Sequence, residues 1–178
     1  MKHEKLTLLY KSEDIAAVVA RIGEDVTRDY SGSYPLFLGV LKGSFMFMAD
    51  LVRCLDLPLE LEFVTLSSYG SGIRTSGDVK VVRGLNTLIR DRDVLVVEDI
   101  VDTGLTLDFF LKYLTKHKPA SVKVCALLDK EARRIVGIPI DYRGFMAPNR
   151  FLVGYGLDYN QKFRQLPDIY ILGGDNAV

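Results

Sequence analysis

The chain has 178 residues, which favours one domain, and its 48% apolar and 26% charged residues are ordinary for a globular protein. This composition excludes collagen-like and low-complexity chains and argues against global disorder. The 23 Lys and Arg residues balance the 23 Asp and Glu residues, so the chain lacks the broad basic character of general nucleic-acid binders.

Apolar residues alternate between helical and strand spacing along the chain. An amphipathic helix is predicted to begin at Ser12, its N-cap, and to end before Pro35. Gly43 opens a predicted second helix, and the apolar spacing over 107–114 predicts a third. Strands are predicted at 36–40, 59–66, 94–97, 122–128, 151–153 and 169–172. Strands that alternate with helices are typical of an α/β domain with a largely parallel sheet.

The segment 67–80 is rich in glycine and hydroxyl residues and contains little that a core could bury. A long loop inside a compact domain is usually either functional or disordered. Composition alone leaves a surface loop without a function as the alternative.

Cysteine use and targeting signals predict a cytoplasmic protein with no membrane partner. Cys54 and Cys125 lie among apolar neighbours and in no CxxC pair, so both are predicted to be buried thiols. The N-terminus resembles no secretory signal, because Lys11 ends its short apolar stretch. No apolar run approaches the roughly 18 residues that a membrane span needs.

The chain contains only two histidines, His3 and His117, which argues against a Ser-His-Asp triad or a multi-histidine zinc site. His117 lies in a basic stretch before a proline, a pattern typical of a helix end. Acid–base chemistry would then depend on carboxylates, lysines or tyrosines.

An acidic cluster follows the predicted strand 94–97. Glu98 and Asp99 come directly after it, and Asp102 precedes the sequence Thr-Gly-Leu-Thr at 103–106. Ligands of open α/β sheets bind beyond the carboxyl ends of the strands. A tight turn into a helix N-terminus at this place directs backbone amides and hydroxyls at one point, an arrangement that suits a phosphate. The acids can bind sugar hydroxyls or a divalent cation. The alternative is a capped helix with solvated acids.

This acidic segment resembles the phosphoribosyl-pyrophosphate signature of type I phosphoribosyltransferases. Within that family the chain resembles the 6-oxopurine (hypoxanthine-guanine) phosphoribosyltransferases over nearly its whole length. Four further motifs carry the resemblance: the pyrophosphate-binding turn Leu41-Lys42-Gly43, the mobile loop beginning at Ser68-Tyr69, the strand end Leu127-Leu128-Asp129-Lys130, and the base-stacking segment 151–160 with Phe163-Arg164.

The resemblance implies the type I phosphoribosyltransferase fold, an α/β fold with a central, mostly parallel sheet flanked by helices and a small hood over the purine site. It implies one domain over 1–178, with a mobile active-site loop at about 68–80 and hood elements at about 140–178. It also implies a homodimer or a homotetramer.

The resemblance further implies an enzyme of purine salvage, a pentosyltransferase that uses Mg²⁺. Such an enzyme transfers the phosphoribosyl group of phosphoribosyl pyrophosphate to N9 of hypoxanthine or guanine, giving IMP or GMP and pyrophosphate.

The acidic segment takes its implied roles from the family. Asp102 is the expected general base, and Glu98 and Asp99 are expected on the ribose and magnesium side, with Asp158 as a further magnesium ligand. Lys130 is expected to contact the 6-oxo group of the purine. The 5′-phosphate cradle is expected to consist of Asp102, Thr103, Gly104, Leu105, Thr106 and Leu107.

The remaining motifs complete the expected site. Lys42, Gly43 and Arg164 are expected to bind pyrophosphate, and the family often has a cis peptide at the position of Leu41–Lys42. Phe151 is expected to stack on the purine and the Leu152 backbone to read its edge. Ser68 and Tyr69 are expected to contact substrate from the mobile loop.

Two positions depart from the family pattern, and other functions remain open. Leu105 stands where some relatives carry a basic or polar residue, and the loop tip Ile73-Arg74 carries no recognisable signature. The alternatives are a regulatory RNA-binding protein with this fold, a phosphoribosyltransferase for another base such as xanthine, adenine or a pyrimidine, and a nucleotide-binding module without chemistry. Zero net charge and the presence of Asp102, Lys130 and Phe151 argue against the RNA-binding protein.

Overall fold

The computed structural model describes residues 5–68, 79–83, 85 and 87–173. Its strands are β1 (Leu6–Tyr10), β2 (Leu36–Leu41), β3 (Glu60–Ser68), β4 (Val79–Arg83), β5 (Asp93–Val101), β6 (Ser121–Asp129), β7 (Tyr142–Met146), β8 (Leu152–Val153) and β9 (Ile169–Leu172). Its helices are α1 (Ser12–Asp29), α2 (Phe45–Arg53), α3 (Leu105–Thr115) and a 3-10 turn, Glu131–Arg133.

The large sheet has the order β4-β3-β2-β5-β6-β7. Its last five strands in this order run parallel, and β4 pairs antiparallel at the β3 edge. Because these strands run in the same direction and are joined by crossover connections, their carboxyl ends lie along one edge of the sheet. This arrangement confirms the predicted α/β class with a mostly parallel sheet.

Helices cover both faces of this sheet, which explains why its central strands are apolar throughout. Alternate residues point to opposite faces: Phe37 and Leu95 pack with α1 and α2. Leu36 and Val94 pack in a second cluster with α3. The predicted apolar face of α1 is buried at Ile15, Val19, Ile22 and Val26.

The predicted helix starts are shifted by one or two residues. Lys11, not Ser12, is the N-cap of α1, and the Asp14 carboxylate accepts a hydrogen bond from the Lys11 amide (3.3 Å). The Ser12 amide instead donates to Asp168 Oδ1 (2.8 Å). Gly43 lies in a turn, and α2 begins at Phe45.

β5 extends beyond its apolar run, and this corrects the predicted strand end at residue 97. The pairs Glu98↔Ala126 and Ile100↔Leu128 continue the parallel ladder with β6, so backbone hydrogen bonds hold the acidic residues in the strand. The acids therefore follow the alternation of a strand and not the path of a loop.

The prediction that both cysteines are buried was wrong for Cys54. Cys125 is buried in β6, whereas Cys54 is exposed at the C-cap of α2, beyond the buried helix residues Phe47, Met48 and Leu51.

A second, antiparallel sheet has the order β1-β9-β8. The Tyr10 ring stacks on Phe145 of β7 with centroids 4.0 Å apart, and the Tyr10 hydroxyl donates to the Met146 carbonyl (2.8 Å), which joins the two sheets. The range 140–178 was expected to form a hood and contains three strands. Of these, β7 belongs to the large sheet, whereas β8 and β9 form the small sheet together with β1.

Within the described ranges, the three helices are too short or too polar to cross a lipid bilayer.

Candidate active site

Adjacent residues of β5 point to opposite sides of the sheet, so Glu98 and Asp99 line different cavities. Glu98 lines a small cavity of about 110 Å³ at the start of α3. Asp99 lines a larger cavity of about 690 Å³. Ile100 and Asp102 line both, which makes the two cavities neighbours at the carboxyl end of β5.

The small cavity is bounded by the turn from β5 into α3. Its lining residues are Glu98, Ile100, Val101, Asp102, Thr103, Gly104, Thr106 and Leu107. Gly104 is the N-cap of α3 with φ +85°, a left-handed conformation that glycine adopts without strain. The first amides of a helix have no partner within it, and the positive end of the helix dipole lies there. The cavity therefore suits an anionic group.

The large cavity collects side chains from four parts of the chain. They are the turn after β2, the end of β5, the 3-10 turn after β6 and the segment around β8. Its lining residues are Lys42, Gly43, Asp99, Ile100, Asp102, Lys130, Arg133, Asn149, Arg150, Phe151, Leu152, Leu157, Asp158 and Arg164.

The turn after β2 lies directly against the acidic strand. A Cβ atom on Gly43 would overlap the Asp99 carboxylate, so only glycine fits at this position. The Leu41–Lys42 peptide bond is cis. Lys42 Nζ donates a hydrogen bond to Gln161 Oε1 (3.3 Å).

Asp102 faces two basic side chains. Lys130 Nζ lies 3.5 Å from Asp102 Oδ2, and Arg133 Nε lies 3.1 Å from Oδ1. Lys130 is only 5% exposed, and burial lowers its pKa while the Asp102 charge partly opposes that shift. Asp102 Oδ1 makes no hydrogen bond to any residue that the structure describes.

The far wall of the cavity combines an aromatic ring with a second acid. Phe151 is 51% exposed, and its ring meets Tyr159 edge-on with centroids 5.5 Å apart. Asp158 accepts hydrogen bonds from the Gln161 amide (2.8 Å) and pairs with Arg164 (2.7 Å). Arg164 also donates to the Gly156 carbonyl (2.6 Å), which fixes its orientation.

Glu98 and Asp99 both have raised pKa values. Burial, with a smaller effect of the Asp99 charge, raises the pKa of Glu98 well above its ordinary value. Burial also raises the pKa of Asp99 to about 6, opposed by the Asp99 and Ile100 amides and by the positive charge of Arg164. An incoming cation would therefore stabilise the charged form of two carboxylates whose ionisation burial disfavours.

The carboxylates fit the way in which proteins bind Mg²⁺. Among the described residues no group of three His, Cys, Asp or Glu side chains forms a complete metal cage. Magnesium is usually held by one or two carboxylates together with substrate oxygens. Asp99 and Asp158 line one cavity, and the charge of Asp158 raises the Asp99 pKa, as expected for neighbouring acids. Glu98, the third expected ligand, lines the other cavity.

The structure brings most of the expected site residues to these two cavities. Leu105 is the first residue of α3 and lines neither of them. Ser68 is the last residue of β3, and its side chain is not described. Tyr69 and the rest of the expected loop up to residue 78 lie outside the described residues.

Sequence reasoning missed five residues that line the large cavity: Ile100, Arg133, Asn149, Arg150 and Leu157. Ile100 lies inside the acidic segment, and Asn149 and Arg150 directly precede Phe151, so proximity along the chain could have indicated them. Nothing in the sequence pattern indicates that Arg133 contacts Asp102.

Comparisons with known proteins agree with this geometry. The phosphoribosyl transferase domain family matches residues 6–160. A hypoxanthine-guanine phosphoribosyltransferase of Bacillus subtilis is 42% identical over 172 residues, which are 97% of this chain and 96% of the relative. A hypoxanthine phosphoribosyltransferase of Salmonella typhimurium is 47% identical over 169 residues, 94% of each chain.

A crystal structure of a hypoxanthine phosphoribosyltransferase from Staphylococcus aureus has the same fold. It is 40% identical in sequence, and the two structures match with a TM-score of 0.90 over 93% of this chain and 90% of that one. The fold expectation is therefore confirmed. The chain belongs to the hypoxanthine-guanine phosphoribosyltransferases, a family of purine-salvage transferases with the type I phosphoribosyltransferase fold.

Proposed function

We propose that this protein transfers the 5-phosphoribosyl group of phosphoribosyl pyrophosphate to N9 of hypoxanthine or guanine, forming IMP or GMP and releasing pyrophosphate. One observation carries the proposal: Asp102 lines both the phosphate-sized cavity and the larger cavity that contains Lys130 and Phe151. A phosphorylated sugar in the first cavity would place its reacting end towards a base in the second.

The small cavity is the proposed 5′-phosphate site. The backbone from Asp102 to Leu107, including Gly104 and Leu105, would donate amides, and the Thr103 and Thr106 hydroxyls would add donors. These groups act at the N-terminus of α3, where the helix dipole favours an anion. The lack of a polar side chain at Leu105 leaves this cradle dependent on amides and hydroxyls.

The purine is proposed to bind between Phe151 and Lys130. Half of the Phe151 side chain is exposed in the cavity, which leaves aromatic surface for stacking, and the Leu152 backbone would contact the base edge. Lys130, nearly buried and held by Asp102, would donate to a 6-oxo acceptor. Adenine would present an amino donor to this ammonium, leaving both donors unpaired at a cost of about 1–3 kcal/mol.

Asp102 is the proposed general base. Its Oδ2 contacts Lys130 and its buried Oδ1 pairs with Arg133. Because Asp102 lines both cavities, its carboxylate would lie near a ring N–H of a purine bound in the larger one and would accept that proton. Removal of that proton would increase the nucleophilicity of the ring as the bond to the ribose forms.

Lys42, Gly43 and Arg164 are proposed to bind the pyrophosphate that leaves. Lys42 and Arg164 place positive charges at the large cavity, and Gly43 offers an amide beside Asp99. These charges would stabilise the negative charge that develops on the departing group.

Asp99 and Asp158 are proposed to hold Mg²⁺, and Glu98 to contribute from the ribose side. The bound ion would neutralise pyrophosphate charge and orient the ribose hydroxyls. Ionised Asp99 is the form required for this role, and its pKa of about 6 leaves it mostly ionised at neutral pH.

Two parts of the proposal depend on the family resemblance. Closure of the loop at about 68–80, with Ser68 and Tyr69 at the substrate, would exclude water from the reacting centre. A homodimer or homotetramer is expected, and light scattering coupled to size-exclusion chromatography would measure it.

The test is product formation from phosphoribosyl pyrophosphate, Mg²⁺ and a panel of hypoxanthine, guanine, xanthine, adenine and uracil, followed by chromatography of nucleotides and release of pyrophosphate. IMP and GMP formation with negligible AMP and UMP supports the proposal. Efficient AMP or UMP formation, or no turnover of any base, contradicts it.

A further inference from the structure

The outer side of the phosphate turn is covered by the segment that follows β6. Ile135 N donates to the Thr103 carbonyl (2.9 Å), as does Val136 N at 3.4 Å. A Cβ atom built on Gly104 would lie 2.9 Å from Arg134 Cδ and 3.1 Å from Ile138 Cδ1. The position of Thr103 and Gly104 is therefore set by residues 134–138 as well as by the turn itself.

Arg134 is anchored at a buried carboxylate outside the proposed site. Asp129, the last residue of β6, is 1% exposed, and its Oδ1 accepts a hydrogen bond from Arg134 Nη2. Asp129 Oδ2 pairs with Arg143 Nε of β7 at 2.8 Å. The Arg134 side chain is itself only 12% exposed. Neither Asp129 nor Arg134 lines either of the two cavities.

A buried carboxylate is costly unless it is paired, and Asp129 has two guanidinium partners. These partners differ in what their side chains touch. The aliphatic part of Arg134 lies against Gly104, at the phosphate turn. Arg143 extends from β7, where its backbone pairs with Ala126 and its carbonyl accepts a hydrogen bond from Arg21. The ion pair to Arg134 therefore reaches the phosphate turn, and the one to Arg143 does not.

We propose that Arg134 is a positioning residue for the 5′-phosphate cradle: its ion pair with Asp129 holds its aliphatic stem against Gly104 and thereby sets the direction of the amides at the start of α3. This inference rests on the proposed function of the small cavity. It concerns phosphate binding specifically, because Arg134 does not line the cavity proposed for the base.

The test compares Arg134→Met with Arg143→Met in the full-length protein. Each change removes one guanidinium from Asp129 and keeps an unbranched side chain, so both variants lose stability in a thermal melt. Binding of ribose 5-phosphate is measured by calorimetry, and KM is measured separately for phosphoribosyl pyrophosphate and for hypoxanthine. A misplacement of about 1 Å caused by a distant substitution can cost on the order of 10²-fold in rate.

The expected result is that Arg134→Met weakens ribose 5-phosphate binding and raises KM for phosphoribosyl pyrophosphate by about tenfold, with KM for hypoxanthine within about twofold of wild type. Arg143→Met should leave both KM values within about twofold. Equal effects of the two changes, or no effect of Arg134→Met, would overturn the proposal.

If Arg134→Met does not fold, Arg134→Gln and Arg143→Gln replace the pair and are judged by the same two outcomes. Glutamine leaves an amide that can donate to Asp129, so these changes disturb the buried carboxylate less. Turnover by the wild type tests the proposed transferase activity separately. A wild type that binds ribose 5-phosphate but forms no nucleotide contradicts the transferase activity and leaves the role of Arg134 in phosphate binding testable by calorimetry.

Discussion

Lys130 Nζ lies 3.5 Å from Asp102 Oδ2, so the expected base-reading lysine and the expected general base are in contact. Lys130 follows β6 and Asp102 follows β5, and the parallel pairing of these strands brings the two side chains together. The contact compensates part of the burial of Lys130 and keeps its donors near the position proposed for the 6-oxo group.

Asp102→Asn should lower kcat by about 10²–10⁴ while leaving phosphoribosyl pyrophosphate binding largely intact, because the amide cannot take the purine proton but keeps the shape of the turn. Steady-state kinetics over a range of pH and calorimetry with ribose 5-phosphate measure the two effects. An unchanged kcat would remove Asp102 from the general-base role.

Lys130→Met should reduce kcat/KM for hypoxanthine and guanine by at least about tenfold, because one buried donor to the base is lost. Lys112→Met is the matched control: Lys112 is exposed on α3, pairs with Asp108 and lines neither cavity. The control should retain wild-type kinetics. Normal use of hypoxanthine by Lys130→Met would contradict the proposed reading of the 6-oxo group.

Gly43→Ala should reduce kcat/KM for phosphoribosyl pyrophosphate by at least about tenfold, because the added methyl group must displace the Asp99 carboxylate or the turn that carries Lys42. Gly32→Ala is its control: a Cβ at this exposed turn after α1 meets nothing within 4 Å, and Gly32 lines neither cavity, so its φ of +78° should cost stability and leave the kinetics unchanged. The assay is initial rate against phosphoribosyl pyrophosphate concentration at saturating hypoxanthine. Wild-type kinetics in Gly43→Ala would show that this close approach is not needed.

The stability of the protein should carry a pH dependence from Asp99. Its folded pKa of about 6 lies above the ordinary value of 3.8, so between these pH values the folded state binds more protons than the unfolded state. The contribution of Asp99 to the free energy of unfolding is therefore most favourable below about pH 4. It declines as pH rises through about 6, by a total on the order of 1–3 kcal/mol.

Denaturant melts of wild type and Asp99→Asn between pH 5 and pH 8 would measure this dependence without substrate or metal. Asn does not titrate, so the stability of Asp99→Asn relative to wild type should increase with pH and level off above about pH 7. A stability difference that stays constant over this range would contradict the raised pKa of Asp99.

Local sequence was sufficient to predict the turn between β5 and α3. A run of buried residues, then acids, then Thr103 and Gly104, encodes a strand, a tight turn and a helix start, because each of these conformations depends on neighbours within a few residues. The apolar face of α1 was predictable for the same reason, since helical spacing repeats within the segment itself.

The strands β1, β4 and β7 were not predicted. The apolar stretch that forms β1 is short and only partly buried, and the apolar residues of β7 are interrupted by Arg143 and Gly144, so neither segment has a clear strand pattern. Pairing with partners distant in the chain, such as Leu6 with Leu172, stabilises them. Cys54 shows the same limit, because apolar neighbours in sequence do not indicate that a residue at the end of α2 is exposed.

Tertiary structure decided how the functional groups are distributed. The sequence shows which acids the motif contains. Glu98 and Asp99 line different cavities because β5 continues through both residues, paired with β6, and adjacent strand residues point to opposite sides of the sheet. The contact of Arg133 with Asp102 and the burial of Asp129 between two arginines likewise join residues from different strand ends. The sequence by itself thus determined which chemical groups follow each strand, and the register between parallel strands determined which of those groups meet, because that register is set by backbone pairing and packing over the whole sheet.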